Sequence, residues 1–170
     1  MLSFVMISRF FSLPKHNFIN EKSKMKTIIL SIISASILVV ISPDTKEVYD
    51  LTIKVENLRN SKGVVQFSLY NKDGSIPDED YKNYFKIGKA TIENGIAEIT
   101  FSNLPKGNYA VNILHDENKN GKVDKGFILP KEGIGFSNFT SIGLTNRPNF
   151  NKASFELNQN KTIKVKVIYM

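Results

Sequence analysis

The sequence predicts an all-β protein, an antiparallel sandwich of about seven strands behind a hydrophobic N-terminal segment. Three observations predict it. After Pro43 the apolar residues alternate with polar ones at a period of two; turn residues interrupt that pattern at spacings of about ten residues; and no convincing 3.6-residue periodicity follows the leader. Strands with one apolar face need cover, and two packed antiparallel sheets supply it.

The leader comes first. Residues 1–24 read as an upstream extension, with initiation at Met25 giving an ordinary secretory precursor. Residues 25–42 carry Lys26 and then an apolar run from Ile28 to Ile41, interrupted only by Ser and Ala. That run spans roughly 21 Å as a helix against a hydrocarbon core of about 30 Å, so a signal peptide is favoured over a short membrane anchor. The expected location is across the inner membrane: periplasmic, outer-membrane-associated or extracellular. A membrane role is expected only through this segment, if it stays uncleaved.

The sandwich domain is expected over residues 48–170. "VYDLTIKVENL" alternates Leu51, Ile53 and Val55 with Thr52, Lys54 and Glu56, and "SKG" turns into "VVQFSLYN", so these two strands read as a hairpin. "KDGSIPDEDYKNYF" is a polar connector. "KIGKATIE" and "IAEITFSNL" flank Asn94-Gly95, the dipeptide that suits two successive positive φ angles, and read as a second hairpin. "YAVNILHD" follows, then a Gly-rich stretch, then the strands "KASFELN" and "KTIKVKVIYM", the last with Ile163, Val165, Val167 and Tyr169 on one face.

Composition excludes several functions. The chain has 23 Lys+Arg against 16 Asp+Glu, but beyond Pro43 the excess is only three and the bases lie scattered among acids. No nucleic-acid partner is expected, since phosphate recognition needs clustered bases. Cysteine is absent, which removes disulfides, thiolate nucleophiles and c-type haem attachment.

One stretch carries candidate chemistry, "HDENKNGKVD" at residues 115–124. On a calcium-loop template it places Asp116 at position 1, Asn118 at 3, Asn120 at 5, Gly121 at 6, the Lys122 carbonyl at 7 and Asp124 at 9. Ca²⁺ needs six to eight hard oxygens, alternate side chains can turn inward, and glycine permits the turn. The bidentate Glu of position 12 is replaced by Phe127, and no amphipathic helices flank the loop, so it is no EF-hand. Glu117 or Glu132 is the candidate remote closer. The competing reading is a plain polar turn, because Asp, Asn and Gly also favour turns.

Other residues weigh less. His115 is the one histidine after Pro43; a hydrolase using it with nearby acids is the alternative function, but no Gly-x-Ser-x-Gly accompanies it. Phe136, Phe139 and Phe150 with Arg147 read as a binding patch or, with more weight, as loop residues folding over an open end of the core.

"LPKGNYAVNILHDENKNGKVD", "PKEGIGFSN" and "PNFNKASFEL", followed by a terminal strand ending in Tyr169, together resemble the bacterial DUF2141 family over Leu51 to Tyr169. The chain departs from that pattern at Phe127-Ile128-Leu129. The resemblance implies an exported protein with an immunoglobulin-like or transthyretin-like sandwich, and no reaction. The expected function is therefore a noncatalytic exported module that binds a protein, a glycan or an envelope component, with Ca²⁺ as the candidate cofactor.

Overall fold

Two sheets face each other across one hydrophobic core. The computed structural model describes residues 46–126 and 130–170; the extension, the signal segment and the Phe127 to Leu129 departure lie outside the described residues. The elements are β1 (Val48–Val55), β2 (Val64–Tyr70), β3 (Lys86–Ala90), β4 (Ala97–Pro105), β5 (Gly107–Asp116), β6 (Gly133–Phe136), the helical turn α1 (Phe150–Ala153), β7 (Phe155–Leu157) and β8 (Lys161–Lys164). One sheet has the order β4-β1-β8, and the other β3-β2-β5-β6, with β7 also paired to β5. Every strand pairing is antiparallel except β1 with β8. Among the described residues no helix is long and apolar enough to cross a membrane.

The core follows the alternation in the sequence. Leu51, Ile53 and Val55 of β1 are fully buried against Val65, Phe67 and Leu69 of β2 and Tyr109, Val111 and Ile113 of β5. Each such side chain contributes about 1.5–3 kcal/mol through removal from water. Val165 and Val167, beyond β8, add to the same cluster. Ile134 and Ile168 exchange both backbone hydrogen bonds, at 3.0 and 2.7 Å, and so join β6 to the C-terminal segment.

Two expected hairpins are corrected. β1 and β2 do not pair; they lie in opposite sheets, so that their apolar faces cover each other. Side by side, both would have presented the same uncovered face. Asn94 and Gly95 do adopt positive φ, 52° and 76°, but the turn holds only the Glu93–Ile96 bridge before β3 and β4 part into different sheets. Gly88 of β3 lies under the Ile99 side chain of β4, where a Cβ would stand 2.3 Å from Ile99 Cδ1.

The run "KASFELN" is also split. Asn149 caps a helical turn by accepting the Lys152 N–H at 2.9 Å, so Lys152 and Ala153 are helical and the strand begins at Phe155. Phe150 and Ala153 of that turn join Tyr70, Ile76, Ala110, Phe136 and Phe139 in a second apolar cluster. These loop residues fold back over the outer face of the five-stranded sheet, where the sequence pointed to an open end of the core. β2 and β5 are thus buried on both faces, which explains the unbroken burial of β2 from Val65 to Tyr70.

Candidate metal centre

β5 ends at Asp116, the first residue of the candidate loop. Its carboxylate is fully buried, and both oxygens are engaged. Oδ1 accepts the Asn120 N–H at 2.9 Å; Oδ2 accepts the Gly121 N–H at 2.8 Å and lies 3.4 Å from Lys89 Nζ. Asn118 Oδ1 accepts the Asn120 N–H at 3.0 Å, and Asn120 Oδ1 accepts the Lys122 N–H at 2.8 Å. These side chains wind the backbone into a tight loop, as Asx residues do. Lys119 and Gly121 supply the positive φ angles it needs, 65° and 76°.

Asp124 closes the loop from its other end. Its Oδ2 accepts the Asn118 amide at 2.6 Å and its Oδ1 the Asn120 amide at 2.9 Å. The structure therefore brings Asp116, Asn118, Asn120 and Asp124 into one hydrogen-bonded group, while Lys122 enters it through its N–H. Glu132 is 4% exposed and does return to the loop, but to its backbone: Oε1 accepts the Glu117 N–H at 2.9 Å and Oε2 the Asp124 N–H at 3.1 Å. Both carboxylate oxygens thus stitch the two ends of the loop together. Glu117 turns away to Arg59, whose Nε donates to it at 2.6 Å, and that bond holds the Glu117 carboxyl below the usual carboxylate range.

Asp116, Asp124 and Glu132 each reach this loop with a carboxylate, and Lys89 is the ammonium paired with Asp116. Hard oxygens from two carboxylates and two amides at alternate positions are the donor set that Ca²⁺ takes. For a cation to enter, the two Asn amide groups must release Asp124 and turn their oxygens inward. Among the described residues, no group of three or more His, Cys, Asp or Glu side chains is arranged to hold a metal by itself. Any binding therefore depends on the Asn oxygens and on carbonyls.

His115 occupies the opposite face of β5 and is fully buried. Its Nε2 lies 3.0 Å from the Lys62 carbonyl, which only accepts, so the proton sits on Nε2. Nδ1 then accepts the Tyr169 O–H at 2.7 Å, and the Tyr169 oxygen accepts the Arg59 N–H at 3.2 Å. Both ring nitrogens are committed to the protein, a structural arrangement. The Arg59 guanidinium lies 4.6 Å from the Tyr169 ring centroid and donates to the Lys131 carbonyl at 2.9 Å, tying the loop base to the C-terminal segment.

Arg59, Lys89 and Tyr169 were not among the residues that the sequence singled out for this region. Each arrives from a distant strand or connector, and local spacing carries no signal for it. No curated protein and no solved structure matches the chain. The model of one family does match, over residues 53–165, and the chain accordingly belongs to DUF2141, a family of uncharacterized proteins conserved in bacteria.

Proposed function

We propose that this protein is an exported, noncatalytic β-sandwich module that binds a protein, a glycan or an envelope component, with Ca²⁺ as a stiffening clip in the 116–124 loop. The observation that carries the metal reading is the convergence of Asp116, Asn118 and Asn120 with Asp124 in one wound loop. Two side-chain carboxylates in the loop suit the weak range of extracellular modules, about 10⁻⁴ to 10⁻³ M. Export rests on Lys26 and the apolar run from Ile28 to Ile41. The hydrolase alternative draws no support from His115, whose two nitrogens are both engaged.

The test is a thermal melt with and without Ca²⁺. At ten times Kd, one site adds about 1.4 kcal/mol, a rise of roughly 5 °C in a domain of this size. Asp124→Asn, which keeps the size of the side chain but removes its charge, is expected to lose most of that rise. A melt that millimolar Ca²⁺ leaves unmoved reduces the loop to a turn.

A further inference from the structure

Lys89 reaches the 116–124 loop from β3, two strands away from β5. It pairs in register with Gln66 of β2, and Gln66 pairs in turn with Leu114 of β5. The side chain passes over β2 and brings Nζ to 3.4 Å from Asp116 Oδ2. Gly121 leaves room for it: a Cβ there would stand 3.5 Å from Nζ and 3.9 Å from Gln66 Oε1. Gln66 is 2% exposed and its Nε2 has no hydrogen-bond partner, so its amide borders the loop with the oxygen toward Gly121 and that nitrogen ties it nowhere else. Asp116 is fully buried, and its other bonds come from the Asn120 and Gly121 N–H groups, which carry no net charge. Lys89 is the one cation paired with it among the described residues. A buried carboxylate without a counter-charge is strongly unfavourable.

We propose that Lys89 is an exchangeable counter-ion of the loop: its ammonium neutralises Asp116 when no metal is bound, and swings out to water when Ca²⁺ enters. This control rests on the calcium reading of the loop. Two features suit Lys89 to leave. Its contact with Asp116 is long, to a single oxygen, and its side chain is 43% exposed, so the pair is loose and the ammonium reaches water by a turn of its own stem. A divalent ion on the same carboxylate reverses the local charge, and attraction for the ammonium becomes repulsion. The two cations therefore compete for Asp116, and each weakens the hold of the other by the same factor. Lys89 steadies the loop at low calcium and lowers the affinity below what the oxygens alone would reach.

The test compares Lys89→Met, Lys89→Arg and Lys122→Met with wild type in the full chain, Lys122 being an exposed lysine of the same loop. Calcium affinity is read from the NMR shift of the Gly121 amide, and stability from melts in EDTA and in roughly 10 mM Ca²⁺, at least ten times the expected Kd. Lys89→Met is expected to bind Ca²⁺ about fivefold more tightly than wild type. Its melting temperature is expected to be about 2 °C lower in EDTA, a deficit that saturating Ca²⁺ removes or reverses. Lys89→Arg, which keeps the charge, is expected to bind Ca²⁺ no more tightly than wild type, and Lys122→Met to stay within about twofold of it. Wild type that binds Ca²⁺ together with Lys89→Met that binds it no more tightly would overturn the exchange and leave the calcium clip standing. A melting deficit of equal size with and without Ca²⁺ would reduce Lys89 to a structural ion pair, and an equal gain in Lys122→Met would reduce it to bulk charge. Absence of Ca²⁺ binding in all four chains would remove the clip and the exchange together.

Discussion

Glu132 uses each of its two oxygens for a different backbone N–H, one at either end of the loop. An amide in its place has one accepting oxygen, and its NH₂ would face an N–H group. Glu132→Gln is therefore expected to destabilise the protein by about 1–3 kcal/mol despite its equal size, read as a lower urea midpoint. A midpoint equal to that of the wild type would show that the loop ends are not held this way. Tyr169→Phe belongs to the same class, since it strips His115 Nδ1 and the Arg59 N–H of their partner in one change. The side chains that wind the loop were legible in the sequence because Asp, Asn and Gly at alternate positions are a local pattern. Lys89, Arg59 and Tyr169 were not, because what defines them is adjacency between residues far apart in the chain, which periodicity does not encode.

At the scale of elements, the strands were legible and their partners were not. Alternation tells which side chains face inward, and it did so for Leu51, Ile53 and Val55. It is silent on whether two neighbouring strands lie side by side or face to face, since both satisfy the same pattern. Here the second solution holds for β1 with β2 and for β3 with β4. β1 is hydrogen-bonded on both edges, to β4 and to β8. A proline at Ile53 removes a ladder N–H and a core side chain together, and is expected to abolish folding, whereas a proline at the exposed Leu144, the second residue of the Gly143–Asn146 turn, should leave the melt within about 1 °C of wild type. Circular dichroism separates the two outcomes. Lys152 and Ala153 escaped the strand expectation because one capping side chain, Asn149, outweighs the strand preference of a short segment.

At the scale of the whole molecule, charge and burial set the pH range. Burial raises the phenols of Tyr70, Tyr81, Tyr109 and Tyr169, so the folded chain keeps protons that the unfolded chain releases above about pH 10. Their contribution is complete below that pH and declines as the pH rises past it. Glu117 acts in the opposite range: held low by Arg59, its contribution is present above the ordinary carboxylate pKa and fades as the pH falls. The urea midpoint is expected to be lower at pH 11 than at pH 9; an unchanged midpoint would mean that these rings are open to water.

The parallel pairing of β1 with β8 also sets a timetable. Asp50 and Asn160, whose hydrogen bond anchors that pairing, are 110 residues apart. A chain that emerges N-terminus first must hold β1 with one edge empty until nearly everything else has appeared. Long-range pairing of this kind is slow, on the order of milliseconds to seconds for sandwich domains. The β1–β8 edge can thus form only after residues 161–164 have appeared, and until then an unfinished chain carries β1 with that edge unpaired.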